Sequence, residues 1–260
     1  MLELRLLSFN VMGMELWQSH CDLAVEELRE LDVDIMFLQE LGGDLKSTPS
    51  AQVCILAENL GFDYKCTVPY SNKAAGPKVF AKGLAVLSKY PFDFIQIIPL
   101  PVHKDDSSRI ALLFSVSVGR HKIHCINLHL SWRPEDYLLR MKQVDHLMSH
   151  LKILDWLNQS MYLIIAGDFN ATEDEYCIKA MDAHFIDCYQ RIYGERKGFT
   201  WLRSNQMHCA VHQNLPDRRV DYIWCTKNFE IRQAHILLDE PCKQVSDHFA
   251  LSVDLALPHR

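Results

Sequence analysis

From Leu4 to Leu255 the sequence switches repeatedly between short apolar runs of strand length and stretches whose apolar residues recur at helical spacing. Strands are expected at Leu4–Phe9, Ile35–Gln39, Gly83–Leu87, Ile110–Val116, Ile123–Leu128, Leu163–Ala166, Val220–Trp224 and Phe249–Leu255. Helices are expected at Cys21–Leu31, Ala51–Leu60, Pro134–Leu157 and Glu173–Met181. In the third, Pro134 stands where a first-turn proline is tolerated, and Leu138, Met141, Val144, Leu147, Leu151 and Leu154 recur along the helix. This alternation points to an α/β architecture. No linker, repeat or low-complexity segment breaks it, so residues 1–260 read as one domain. At 48% hydrophobic and 23% charged residues, the chain can bury a large core.

A net charge of −6 argues against a general polyanion-coating protein while leaving room for a local basic groove. Nine cysteines, an odd number without any C-x-x-C pair, suggest reduced thiols rather than a disulfide framework. The first residues, MLELRLLSFN, run into a strand without signal-peptide features, and no apolar stretch approaches the roughly 18 residues of a membrane span. A cytoplasmic location is the expectation. His208, Cys209 and His212 have no second ligand pair at zinc-finger spacing and read as loop composition.

Chemistry-bearing residues gather where strands stop. Asn10 ends the first run, Gln39 and Glu40 the second, and His129 the fifth. MYLIIAGDFNAT delivers Asp168 and Asn170 at the tip of the sixth, RRVDYIW carries Asp221, and SDHFAL places Asp247 and His248 just before the last. Each has an ordinary alternative as a turn former, a solvated strand-end acid or a satisfied core histidine. Jointly they fit a ligand-binding sheet edge. Glu40, Asp168, Asp221 and Asp247 together would repel one another in a poorly solvated cleft. A hard divalent cation would relieve that repulsion, and an all-oxygen set favours Mg2+, with Mn2+ a possible substitute. Two histidines add a proton donor or a stabiliser of developing negative charge. Such equipment suits hydrolysis of a phosphate ester.

These segments, in this order, resemble the endonuclease/exonuclease/phosphatase superfamily, whose fold deoxyribonuclease I shares. The matching pieces are SFNV at 8–11, FLQE at 37–40, GLAVLSKYP at 83–91, NLHL at 127–130, GDFNAT at 167–172, RRVDYIW at 218–224 and SDHFAL at 246–251. The resemblance implies a four-layer α/β sandwich, two packed and mainly antiparallel sheets flanked by helices. It implies Glu40 as principal metal ligand, with Asn10 beside it and Asp247 nearby or at a second metal position. Asp168 would orient or deprotonate the attacking water, and Asn170 would hold a phosphate oxygen or help position the nucleophile. His248 would contact the scissile phosphate, oriented by Asp221. His129 would donate to a phosphate oxygen or protonate the leaving group; abasic-site endonucleases have tyrosine there, so the chain resembles them less.

The implied substrate is a phosphate ester, of nucleic-acid type or with a lipid or inositide headgroup. Ala171 and Thr172 follow Asn170 where inositol polyphosphate 5-phosphatases typically carry an arginine soon afterwards, and PDRRVDYIW stands in place of their WCDR segment. An inositol-phosphate monoesterase and a catalytically silent binding module therefore remain as alternatives. GFTWLRSNQ at 198–206 resembles sphingomyelinase-like and tyrosyl-DNA phosphodiesterase-like members equally. Between Asp63 and Asp93 there are five lysines and no acid, and SNKAAGPKVFAKG reads as an exposed loop. Lys73, Lys78 and Lys82 are expected at the cleft rim, with Trp132, Arg133, Trp201 and Arg203 as an opposite wall.

Overall fold

Two six-stranded sheets pack face to face in the computed structural model, which describes residues 2–12, 17–44, 51–75, 78–104, 108–158, 161–207 and 215–258. In chain order the strands are β1 (Leu2–Asn10), β2 (Ile35–Asp44), β3 (Tyr64–Ala75), β4 (Lys78–Ser88), β5 (Phe92–Leu100), β6 (Arg109–Val118), β7 (His121–His129), β8 (Tyr162–Asp168), β9 (Ile186–Asp187), β10 (Asp221–Cys225), β11 (Glu230–Leu237) and β12 (Ala250–Leu257). The helices are α1 (Trp17–Arg29), α2 (Ala51–Leu60), α3 (Tyr137–Ile153), α4 (Tyr176–Asp182) and α5 (Cys188–Tyr193).

One sheet runs β11-β12-β1-β2-β4-β3 and the other β5-β6-β7-β8-β10-β9. Each has a single parallel pair, β1 with β2 and β7 with β8, and antiparallel pairs elsewhere. A parallel pair needs a crossover, and α1 and α3 supply them. Alternation sorts the side chains. Leu4, Leu6, Phe37, Val86, Phe114, Cys125, Ile164, Ile223 and Val253 fill the space between the sheets. The opposite faces bury Leu7, Met36 and Leu38 beneath Leu28, Val53 and Leu56, and Ile126, Leu128 and Ile165 beneath Val144, Leu147 and Ile178. The four expected layers are present.

All eight expected strands are found. β3, β5, β9 and β11 were not among the expected strands, although β5, FDFIQIIPL, is rich in Phe and Ile. β5 is an edge strand whose residues alternate between half-buried and exposed along most of its length. The segment SNKAAGPKVFAKG, expected as a loop, instead forms the paired ends of β3 and β4, with Ser71 opposite Lys82 and Ala75 opposite Lys78. Backbone pairing needs no apolar alternation, so its polar, small residues gave no strand signal. The helix expected from Pro134 begins with a 3-10 turn at Pro134–Asp136 and is α-helical from Tyr137 to Ile153. No helix among the described residues is long and apolar enough to cross a membrane. The eight described cysteines are free, whereas His208, Cys209 and His212 lie outside the described residues.

Candidate active site

The topology brings the polar strand ends to one edge. β1, β7 and β8 end in Asn10, His129 and Asp168, and the β7–β8 register sets His129 opposite Asp168. β10 runs antiparallel to β8, so its first residue, Asp221, pairs with Asp168. β12 runs antiparallel to β1, which puts Asp247 and His248, just ahead of it, beside the exit of β1. There Ser246 Oγ donates to the Asn10 carbonyl at 2.7 Å.

Two glycines allow this convergence. At Gly167 (φ +144°) a Cβ would sit 2.1 Å from the Leu128 carbonyl oxygen, so only glycine lets β7 and β8 approach just before Asp168. Phe169 then plugs the core against Tyr222 and Trp224, while Asn170 turns out in the left-handed region (φ +50°). The Asn170 backbone N–H donates to Asp168 Oδ1 at 2.8 Å, and its side-chain amide donates to the Leu130 carbonyl at 3.3 Å. On β4, a Cβ at Gly83 would lie 2.6 Å from the Val68 carbonyl oxygen. Register breaks flank that position on both neighbours, between Leu38 and Leu41 in β2 and between Pro69 and Ser71 in β3. The first break carries Glu40 at φ +57°, and the second carries Tyr70.

Behind the site a buried amide pair joins the sheets. Gln39 Nε2 donates to Asn127 Oδ1 at 2.8 Å, and Asn127 Nδ2 donates to the Leu38 and Ala85 carbonyls at 2.9 Å. In front of it the reactive groups meet. Asn10 Nδ2 donates to Asp168 Oδ2 at 2.9 Å, and the Met12 N–H donates to Asn10 Oδ1 at 3.0 Å. His248 Nδ1 bonds Asp221 Oδ2 at 2.8 Å and turns Nε2 toward Asp168 Oδ2, 3.7 Å away. His129 Nε2 lies 3.4 Å from Asp168 Oδ2 and 3.9 Å from Glu40 Oε1, while its Nδ1 bonds the Tyr70 hydroxyl at 2.8 Å. Lys82 pairs with Glu40 Oε2.

Environment separates these groups. Burial raises Asp168 to about 7, His248 opposing and Asp221 reinforcing the rise. Burial raises Asp247 too, helped by the negative charge of Glu40. Burial by itself would lower His248, but Asp221, Asp168 and Asp247 outweigh it and raise the imidazole to about 10. His129 moves well below 6.5, through burial first and then the charges of Arg109, Lys82 and His248. One imidazole is held charged and the other neutral.

The charge balance suits a divalent cation. Glu40 has drawn in a lysine ammonium, Asp221 Oδ1 is buried with no partner, and two further carboxyls are pushed toward protonation. The donors are overwhelmingly oxygen, as a hard ion prefers. Asp168, Asp221 and His248 place one ligand atom each within 4.8 Å of one another and could hold a metal. An ion there would compete with the His248–Asp221 hydrogen bond, which Glu40 does not share.

The expected substrate wall is only partly present. Trp201 is buried under the Arg218 guanidinium, 4.7 Å from its ring, and pairs in a short bridge with Arg218, so it has no ring face to stack on a ligand. Trp132 and Arg133 are half-buried, Arg133 lying over the Trp132 ring at 5.5 Å, and Arg203 is exposed. Lys82 is exposed but faces Glu40, while the side chains of Lys73 and Lys78 lie outside the described residues. Sequence reasoning missed Tyr70, Arg109 and Arg218. Arg109 packs over the Tyr70 ring at 5.2 Å and donates to the Leu130 carbonyl at 3.2 Å. Arg218 keeps a buried Nε without a partner. Tyr70 lies in a stretch without apolar periodicity, and Arg109 stands just ahead of an expected strand, where nothing in the sequence shows that it packs on Tyr70.

The four-layer fold gathers its polar strand ends at one edge, and comparison with known proteins identifies its class. A model of the endonuclease/exonuclease/phosphatase family matches residues 7–248. The chain belongs to that family, whose members are generally hydrolytic phosphoesterases. The human Nocturnin catalytic domain, solved with a bound sulfate anion, superposes with a TM-score of 0.79 at 20% identity, over 99% of this chain and 94% of that one. A truncated Caenorhabditis elegans TDP2 gives 0.71 at 16%, over 97% of both chains. A Bacteroides thetaiotaomicron mannosyl-6-phosphatase gives 0.71 at 15%, over 98% and 100%. Identities this low speak for the fold alone. A search of curated proteins finds no match.

Proposed function

We propose that this chain is a divalent-metal-dependent phosphoesterase acting on a phosphodiester of nucleic-acid or phospholipid type, as one catalytic domain and in the reducing cytoplasm. The observation carrying the proposal is the packing of Asp168 against both histidines, each of them oriented from behind by its own partner. Glu40 would hold the cation, with Asp247 and Asn10 near it; Mg2+ suits the oxygen donors and Mn2+ could replace it. When bound, the ion supplies positive charge to the phosphate oxygens and helps to lower the barrier to in-line attack.

The chain's own residues would supply the rest. Asp168, fixed by the Asn10 amide and the Asn170 N–H, would take a proton from the attacking water. His248, kept charged by Asp221, would bind the scissile phosphate through Nε2–H. His129 and Asn170 would bind phosphate oxygens. Lys82, Trp132, Arg133 and Arg203 would line the approach, with Lys73 and Lys78 on the hairpin beside it. An inositol-phosphate-type phosphomonoesterase is the second reading.

Hydrolysis of bis-p-nitrophenyl phosphate, with chelator and after magnesium is restored, tests the chemistry. A panel of single- and double-stranded DNA, RNA, 5′-tyrosyl DNA, sphingomyelin, inositol polyphosphates and sugar phosphates separates the substrates. Chelator-resistant turnover would refute metal dependence. Preference for monoesters would support the second reading.

A further inference from the structure

We infer that Tyr70 is a positioning residue for His129, fixing the ring by donating its phenolic proton to Nδ1 so that Nε2–H faces the reaction cleft; this inference rests on the proposed phosphoesterase reading. The hydroxyl lies 2.8 Å from Nδ1, and the two rings meet edge to face with centroids 5.8 Å apart. Distance alone leaves open which partner donates.

The opposite side of the imidazole decides it. His129 Nε2 is buried without a hydrogen-bond partner and faces Asp168 Oδ2 at 3.4 Å and Glu40 Oε1 at 3.9 Å. Both Asp168 oxygens already accept, Oδ2 from the Asn10 amide and Oδ1 from the Asn170 N–H, so Oδ2 is an acceptor that would repel a lone pair on Nε2, and Nε2 carries the proton. Nδ1 is then the acceptor and Tyr70 the donor. Burial pushes the phenol's ionisation up, so that proton stays in place.

The backbone is built to deliver this contact. Tyr70 sits at the register break in β3, opposite the close approach at Gly83, at the level where β2 breaks to present Glu40. A regular strand would alternate straight past His129. Arg109 covers the Tyr70 ring and ties down the Leu130 carbonyl next to His129, so both members of the pair are held. The result is a neutral imidazole that can donate one fixed hydrogen bond to a phosphate oxygen, distinct in role from His248.

Histidine-selective 15N labelling tests the assignment directly, with His129 signals identified by their loss in His129→Gln. With magnesium present, wild-type Nε2 should give the shift of a protonated nitrogen and Nδ1 that of a hydrogen-bonded acceptor. In Tyr70→Phe the Nδ1 signal should move to that of a free acceptor or spread over both tautomers. Turnover of bis-p-nitrophenyl phosphate should fall about 10- to 100-fold, mainly in kcat. The same substitution in a His129→Gln background should cost less than about twofold, because its target is gone.

A proton on Nδ1 in the wild type, an unmoved Nδ1 signal in Tyr70→Phe, or an equal loss without His129 would overturn the inference. If Tyr70→Phe does not fold, the wild-type spectrum alone decides. A wild type that hydrolyses no phosphate ester yet shows the stated spectrum would sink the proposed function and leave the tautomer assignment standing.

Discussion

At the scale of the residue, the site works by giving similar groups different surroundings. Asp221 and His248 share one hydrogen bond and should act as a unit. Asp221→Asn and His248→Ala should each lower kcat strongly, and the double variant should lose little more than the worse single one. Multiplicative losses would show that they act separately. Asp168→Asn should cost on the order of 10²-fold or more in kcat if this carboxylate takes the water proton, and near wild-type turnover would move the base elsewhere. In the metal-free protein His248 rises from 6.5 to about 10, so its contribution to stability is present below 6.5 and is lost as pH rises through 10. Tm should therefore fall between pH 6.5 and 10, and less so in His248→Asn; identical profiles would mean that the folded imidazole is not so perturbed. Of this machinery, the acids and histidines were legible because each stands where an apolar run starts or stops. Tyr70 and Arg109 were not, because their roles come from a register break and a packing contact that leave no periodic trace.

At the scale of the element, polar residues serve as fasteners as well as reagents. Gln39 and Asn127 belong to the same short motifs as Glu40 and His129, yet they are buried and bind the sheets to each other. Asn127→Ala would remove the amide that the Leu38 and Ala85 carbonyls accept from and one of the acceptors of the Gln39 amide, and should cost about 3 kcal/mol in urea unfolding. A loss below about 1 kcal/mol would mean that water replaces the amide. Gly167→Ala should be still more damaging, since its methyl would fall on the Leu128 carbonyl. Apolar spacing located α1 to α4 to within a few residues but gave no sign of the short α5, and in α3 the buried face takes Leu139, Val144, Leu147 and Leu151 while Leu138, expected on it, is exposed. The ends of β3 and β4 escaped notice because their polar and small residues show no apolar alternation, and Trp201 looked like a ligand-facing aromatic because sequence does not reveal that Arg218 covers it.

At the scale of the whole molecule, two sheets with one parallel pair each direct their polar strand ends to a shared edge, and the antiparallel neighbours bring Asp221 and His248 back to it. The architecture was readable from the alternation and motif order; strand partners were not, since pairing depends on register between distant segments. An acidic chain that buries several carboxylates at one edge should need a cation there. Cation binding should tighten as pH rises through about 7, where Asp168 gives up its proton, and should release protons as it occurs. Calorimetric titration of the metal-stripped protein with magnesium at pH 6 and pH 8, alongside bis-p-nitrophenyl phosphate turnover, tests the central claim most directly. The account predicts saturable binding that is tighter at pH 8, weakened in Glu40→Gln, with turnover rising in step with occupancy. Full turnover by the stripped protein, or magnesium binding indifferent to both pH and Glu40→Gln, would contradict it.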